Sequence, residues 1–115
     1  MTMIRKFAFC ATALGAIALA GCGGQDGGTR DQVRAVGSST VYPFAKAVAE
    51  SLARANPKLK SPIIESTGTG AGMKQFCGGT GAQFPDIANA SRRMKKAEFD
   101  DCQAHGVKDI VEIQV

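Results

Sequence analysis

The sequence has a single histidine and no two cysteines in C-x-x-C spacing. His105 lies near a predicted helix end, remote in sequence from every serine-rich loop, so no hydrolase triad can be assembled around it. A zinc site built from Cys77, Cys102 and His105 would lack the usual ligand spacing and is the weaker alternative for these residues. The sequence therefore predicts neither catalytic residues nor a bound metal.

Nucleotide-binding fingerprints are also absent. Residues 68–74, G-T-G-A-G-M-K, depart from the G-x-x-x-x-G-K-[ST] pattern, because Met73 precedes the lysine and Gln75 follows it. They also depart from G-x-G-x-x-G, and Asp86 opens a strand where a ribose-binding acid would close one. Nucleotide hydrolysis and dinucleotide binding are both disfavoured, and no cofactor is expected.

An export signal is present at the start of the chain. Arg5 and Lys6 precede an apolar run over residues 7–20, which is too short to span a bilayer comfortably, so residues 1–21 are predicted to be a signal peptide. Residues 19–22, L-A-G-C, resemble the lipobox of bacterial lipoproteins, which predicts lipidation of Cys22. Ordinary cleavage after the A-L-A of residues 18–20 is the alternative. In both cases we expect the protein to leave the cytoplasm, with the lipid anchor placing it on the periplasmic side of the membrane.

Cysteine use follows from export. Cys10 is lost with the signal peptide and Cys22 is used for lipid, so Cys77 and Cys102 are predicted to form a disulfide in an oxidising compartment. This bond would close a loop of about 25 residues, which the chain-entropy treatment values at about 3 kcal/mol. Residues 22–32 carry almost no apolar side chains and are predicted to be a flexible tether before a domain over residues 33–115.

Within that domain, short strands alternate with helices. This order predicts an α/β fold, a mostly parallel sheet with flanking helices and right-handed crossovers. The predicted strands are Val33–Val36, Pro62–Glu65, Asp86–Ala90 and Ile110–Val115. The predicted helices are Pro43–Ala55, a short one carrying Met73, Phe76 and Cys77, and Ala97–His105, which Gly106 ends.

Apolar spacing predicts which helix faces are buried. Phe44, Val48 and Leu52 recur every four residues and are predicted to form the core face of the first helix. In the third helix, Phe99 and Cys102 are predicted to point inward.

Three loops rich in hydroxyls and glycine follow the first three strands: residues 37–40, G-S-S-T, residues 66–70, S-T-G-T-G, and residues 90–93, A-S-R-R. Ligands of parallel sheets bind beyond the carboxyl ends of the strands. There, helix amides, hydroxyls of Thr40, Thr69 and Ser91, and a guanidinium of Arg92 or Arg93 suit a small oxyanion. The alternative is that these residues are only helix caps and turns.

Residues 36–44, 65–77 and 85–93 closely resemble the periplasmic phosphate-binding proteins of bacterial ABC phosphate importers, which belong to the type II periplasmic binding proteins. The resemblance implies a fold of two lobes that close over inorganic phosphate and deliver it to a membrane permease. Residues 33–115 would be part of the first lobe. By motif match, the resemblance assigns to phosphate binding Thr40 with the Val41 amide, Thr69 with the Gly70 amide, and Ser91. With Ser39 and Arg92 from the same loops, the predicted phosphate-binding residues are Ser39, Thr40, Val41, Thr69, Gly70, Ser91 and Arg92.

Two departures from this family qualify what the resemblance implies. Familiar members place an aspartate near the position of Ser91, where it excludes sulfate, so selectivity between phosphate and another oxyanion stays open. The second lobe is absent, so we expect a fragment that binds phosphate weakly or not at all by itself.

Parts of the sequence also suit two other functions. A secreted signalling or adhesion protein with the same fold and no transport role is the alternative. A basic cluster, Arg92, Arg93, Lys95 and Lys96, would suit nucleic acid or acidic lipid, but no aromatic residues interleave with it and export removes most nucleic-acid partners. We therefore expect no nucleic-acid partner.

Overall fold

The structure is a computed structural model that describes residues 30–115. The predicted signal peptide, the lipidation site Cys22 and most of the predicted tether lie outside these residues. The elements in chain order are β1 (Arg34–Gly37), α1 (Tyr42–Ala55), β2 (Ile63–Ser66), α2 (Thr69–Phe76), β3 (Ile87–Asn89) and α3 (Lys96–Ala104). No helix within residues 30–115 is long and apolar enough to cross a membrane.

The three strands form one parallel sheet in the order β2-β1-β3. Gly37, the last residue of β1, is in register with Ser66 of β2 and with Asn89 of β3. The three strands therefore end in one row, and the loops that follow them begin at the same edge. The prediction of a parallel α/β sheet with flanking helices is confirmed.

The helices pack on different strands. Helix α1 contacts β2, whereas α2 contacts both β1 and β3, and α3 contacts α2. Val36 of β1 is fully buried at the centre of the sheet, and Met73 of α2 is nearly so. A disulfide joins Cys77 to Cys102, as predicted, and so ties the end of α2 to α3. Both cysteines are buried, so the bond lies in the core.

Close packing at Gly37 aligns β1, β3 and α2. Gly37 has a φ of +135°, and a Cβ at this position would lie 2.0 Å from the carbonyl oxygen of Asn89. A Cβ on Gly72 of α2 would lie 2.5 Å from the Cα of Gly37. These glycines let α2 approach the end of β1 more closely than any side chain would permit.

Two predictions about buried faces are wrong. Phe44, Val48 and Leu52 of α1 are 71%, 67% and 42% exposed, whereas the buried residue of the helix is Ala49. The four-residue spacing correctly predicts an apolar row, but the small alanine face is the one that α1 buries. Phe99 of α3 is likewise 45% exposed, whereas Cys102, predicted to point inward with it, is fully buried.

The predicted fourth strand, Ile110–Val115, is also wrong. Within residues 30–115 this segment pairs with no strand, and Val111 and Ile113 are largely exposed. Alternating apolar residues favour extended backbone, but a strand also needs a neighbour that accepts its hydrogen bonds. Here the segment only approaches the loop after β3, where Arg93 Nε lies 3.6 Å from a carboxylate oxygen of Glu112.

The last residues assigned to the tether contact the domain. Arg30 donates to the carbonyl oxygen of Phe84 and forms an ion pair with Asp86. Asp31 pairs with Lys60, and the Gln32 amide donates to the carbonyl oxygen of Ser61. Residues 30–32, the last three of the predicted tether, therefore already contact the domain.

Candidate anion site

Backbone hydrogen bonds join the three loops at the carboxyl ends of the strands. The carbonyl oxygen of Gly37 accepts the N–H of Thr67 at 2.9 Å and the N–H of Gly68 at 2.8 Å. The N–H of Ser38 donates to the carbonyl oxygen of Asn89 at 2.8 Å. The loop after β1 is thus attached to the loops on both sides of it, which brings the three predicted motifs together.

The start of α2 supplies unpaired backbone donors. Gly68 precedes the helix with a φ of +84°, and no side chain caps the helix. The first four N–H groups of any α-helix have no acceptor within the helix. The N–H of Gly72 reaches the carbonyl oxygen of Gly68, but within residues 30–115 the amides of Thr69, Gly70 and Ala71 have no hydrogen-bond partner. These three amides and the positive end of the helix dipole favour an anion.

Hydroxyl groups from neighbouring loops lie beside this helix start. Thr69 Oγ1 is 3.1 Å from Ser91 Oγ, and it also accepts the N–H of Ser91 at 3.2 Å. Across the site, Ser66 Oγ donates to Ser39 Oγ at 3.0 Å. Hydroxyls are both donors and acceptors, so they can turn from one another to an anion.

The start of α1 differs from that of α2 because most of its donors are paired. The N–H of Val41, predicted to bind the ligand, donates to Ser38 Oγ at 3.3 Å. The N–H of Tyr42 donates to the carbonyl oxygen of Ser38 at 3.0 Å. The Thr40 hydroxyl is exposed and makes no hydrogen bond within residues 30–115. The loop after β1 therefore offers the Thr40 and Ser39 side chains more readily than the Val41 amide.

Arg92 lies next to Ser91 and is already engaged by a carboxylate. Its Nη1 and Nη2 donate to Glu98 Oε2 at 2.9 Å and to Glu98 Oε1 at 2.7 Å. Glu98 Oε2 also accepts the N–H of Lys95 at 2.8 Å, which closes the start of α3. The Arg92 hydrogen bonds and the Lys95 N–H lower the pKa of Glu98 to about 2, although partial burial opposes the shift.

Sequence reasoning missed three residues of this arrangement. Buried Ser38 organises the first loop, Ser66 pairs with Ser39, and Glu98 pairs with Arg92. Ser66 stands in the predicted second loop and could have been added, because the end of β2 aligns with Gly37. Nothing in the spacing from Arg92 to Glu98 singles out this pair from other charges near α3.

Comparisons with known proteins show the family of this chain. Residues 24–115 match the PBP superfamily domain. The chain belongs to the PBP superfamily. It is 44% identical over 81 residues to Protein SphX of Synechococcus elongatus, an alignment that covers 70% of this chain and 23% of that protein. It is 36% identical over 104 residues to the phosphate-binding protein PstS of Staphylococcus epidermidis, with 84% of this chain and 30% of that protein covered.

A solved structure has the same fold. The crystal structure of a possible phosphate binding protein from Planctomyces limnophilus superposes with a TM-score of 0.57 at 36% sequence identity, over 65% of this chain and 25% of that one. The family resemblance stated from the sequence motifs is confirmed. The chain spans about a quarter to a third of the length of the curated relatives it matches.

Proposed function

We propose that this chain is the first part of an extracytoplasmic solute-binding protein that captures inorganic phosphate and delivers it to the membrane permease of an ABC importer. The observation that carries the proposal is the start of α2. There, the unpaired amides of Thr69, Gly70 and Ala71 lie beside the hydroxyls of Thr69 and Ser91. The relatives named as phosphate-binding proteins support phosphate as the anion.

The proposed ligands are those predicted from the sequence. The hydroxyls of Ser39, Thr40, Thr69 and Ser91 and the Gly70 amide would donate to phosphate oxygens, and Arg92 would add one cation. The Val41 amide would join them after release from Ser38 Oγ. The site acts by binding and has no catalytic role in this proposal. A signal peptide would direct export before its removal, and a lipid on Cys22 would then hold the protein on the periplasmic side of the membrane.

The direct test is a titration of phosphate into the oxidised chain, monitored through backbone amide chemical shifts in NMR spectra. Sulfate and arsenate serve as comparison anions. We expect the amides of Thr69, Gly70 and Ala71 to shift with a dissociation constant of about 1 mM or weaker, because one lobe supplies only part of the ligand set. A form extended by any coding sequence that follows should bind more tightly.

A matched pair of variants makes this test specific. Thr69→Val removes the hydroxyl between α2 and Ser91 and should weaken binding about tenfold, as expected for a hydrogen bond to a charged group. Thr80→Val removes a hydroxyl from the exposed turn after α2, away from the strand ends, and should leave binding unchanged. If folded protein shows no shift at the start of α2 in about 10 mM phosphate, and the extended form is equally silent, the transport assignment fails and a signalling or adhesion role is favoured.

A further inference from the structure

Glu98 holds Arg92 by one edge of its guanidinium group. The two parallel hydrogen bonds, 2.9 and 2.7 Å long, use one N–H on each terminal nitrogen, and Nη1 donates again to the carbonyl oxygen of Arg93 at 3.0 Å. Glu98 is itself fixed, because Oε2 accepts the N–H of Lys95 at the start of α3. Arg92 is therefore held in place one residue after Ser91, whose hydroxyl contacts Thr69.

The other edge of the guanidinium has no partner within residues 30–115. Guanidinium carries five N–H groups, of which Glu98 and Arg93 take three. The two that remain, on Nε and Nη2, lie side by side on the edge next to the side-chain stem. Such an edge is a planar pair of donors that matches two oxygens of a tetrahedral anion.

We infer that Glu98 is a positioning residue for anion binding, which fixes Arg92 by one edge so that the Nε and Nη2 edge is ordered before the anion arrives. This inference rests on the proposed phosphate function, and Glu98 itself does not touch the anion. Ordering a long side chain on binding lowers affinity, so a side chain that is already held in the free protein avoids that loss. Because the pKa of Glu98 is about 2, this restraint persists throughout the neutral pH range.

Glu98 also has an opposing effect, because its negative charge repels an anion. Salt separates the two effects. At about 0.5 M salt the Debye length is roughly 4 Å, so repulsion between Glu98 and an anion beyond that distance is largely screened, whereas the Arg92–Glu98 hydrogen bonds of 2.9 and 2.7 Å are shorter than that length and persist. Phosphate affinity should therefore be measured at about 0.05 M and about 0.5 M salt.

The test uses Glu98→Gln in the oxidised chain, with phosphate as the probe. Glutamine keeps an acceptor for the Lys95 N–H but loses the paired carboxylate, so α3 retains its start. At high salt we expect Glu98→Gln to bind phosphate roughly three- to tenfold more weakly. Asp100→Asn is the matched control, since it removes one carboxylate and its ion pair with Lys96 from the same helix. It should bind like the unmodified chain at high salt.

A second background separates positioning from general support of the helix. At high salt, where the repulsion from the Glu98 charge is screened, the further change Glu98→Gln in an Arg92→Met chain should not alter phosphate affinity, because Glu98 would then act only through Arg92. The Arg92 Nε–H signal in NMR spectra should report a rigid side chain in the unmodified protein and a mobile one in Glu98→Gln.

Each outcome bears on either the positioning role of Glu98 or the proposed phosphate function. A chain that binds phosphate equally well with and without Glu98→Gln at high salt overturns the positioning role alone, as does a mobile Arg92 in the unmodified chain. An equal loss in the Arg92→Met background assigns Glu98 to structural support and also overturns it. No phosphate binding by the unmodified chain or its extended form overturns the proposed function instead, whatever the Arg92 signal shows.

Discussion

The two ends of the sheet use polar side chains in different ways. At the carboxyl ends of the strands, hydroxyls and backbone amides surround the start of α2, and several amides are unpaired. Around Arg34, the first residue of β1, a cluster of charged residues links the strands; we call Arg30, Arg34, Glu65 and Asp86 the amino-end cluster, which Glu65 joins from the third residue of β2. Arg34 pairs with Glu65 through two hydrogen bonds of 2.9 and 3.1 Å, and its N–H donates to Asp86 at 2.8 Å.

The contrast separates stability from binding. In the amino-end cluster, charged groups of β1, β2 and the residue before β3 pair with one another. They therefore restrain the fold and leave few donors or acceptors free for a ligand. At the carboxyl end, weakly paired neutral donors contribute less to the fold but remain available to an anion. Four tests address this division, from the largest expected effect to the smallest.

The largest effect is expected at Gly37, the last residue of β1, because β1 is the central strand and pairs with both β2 and β3. Gly37→Ala would place a Cβ 2.0 Å from the Asn89 carbonyl oxygen at a φ that L-residues rarely adopt. We expect a loss of at least about 3 kcal/mol in the free energy of unfolding, measured by urea denaturation. Gly70→Ala is the control, because a Cβ there meets nothing within 4 Å. A Gly37→Ala protein as stable as that control would contradict the role given to this close contact.

The next effect is expected at the disulfide, which ties the end of α2, the helix that begins at the anion site, to α3. Cys77→Ala with Cys102→Ala opens a loop between residues 25 positions apart. The expected loss of stability is about 3 kcal/mol by the chain-entropy treatment. Reduction of the unmodified chain should give a comparable loss, while the reductant should leave the double variant unchanged. A double variant that unfolds at the same urea concentration as the oxidised chain would show that the disulfide adds no measurable stability to the fold.

A pair of substitutions, one in each region, compares the two regions directly. Arg34→Met should lower the free energy of unfolding by about 1–2 kcal/mol, because it leaves Glu65 without its cation at a partly exposed site, while Asp86 keeps the backbone N–H of residue 34 and its ion pair with Arg30. It should not alter phosphate affinity. Thr69→Val should do the reverse, weakening phosphate binding with a stability change below about 1 kcal/mol. Urea denaturation and phosphate titration of both variants check this, and a loss of both properties in each variant would abolish the division.

The smallest effect is expected from acid. Glu65 and Glu98 both have a pKa below the usual value, held down by Arg34 and by Arg92 respectively. A carboxyl group with a lowered folded pKa adds stability above its unfolded pKa, and that stability is lost as pH falls through the folded pKa. For Glu98 the loss spans pH 4.5 to about 2. We expect about 1 kcal/mol from it, since Arg92 is partly exposed to solvent.

Urea denaturation between pH 7 and pH 2.5 measures the acid effect, and Glu98→Gln supplies its control. The variant lacks the titrating group, so its stability should fall less steeply below pH 4.5 than that of the unmodified chain. Parallel curves for the two proteins would show that the Arg92 pair contributes nothing measurable to the fold.

Much of the fold was accessible from sequence because it depends on local patterns. Apolar segments separated by glycine- and proline-containing turns predicted β1, β2 and β3 and the three helices to within a few residues. The pairing of Cys77 with Cys102 followed from export and from counting the cysteines that remain. These inferences need no knowledge of which elements touch.

Predictions that depended on a partner were less successful. The row of Phe44, Val48 and Leu52 and the segment Ile110–Val115 both have the correct periodicity, yet neither is buried or paired within residues 30–115. Periodicity identifies an apolar side, but burial requires another element to lie against it. The same reason explains why the sequence did not indicate the engagement of Arg92 by Glu98.

By itself, the sequence determined the order of strands and helices, the disulfide and the three loops with chemistry suited to an anion, because residue type and spacing act locally along the chain. Only the tertiary structure decided that Gly37, Ser66 and Asn89 end in one row, that the amides at the start of α2 stay unpaired while the Val41 amide does not, and that Glu98 holds Arg92. Those outcomes depend on distances between residues far apart in sequence, which packing and hydrogen bonding set together.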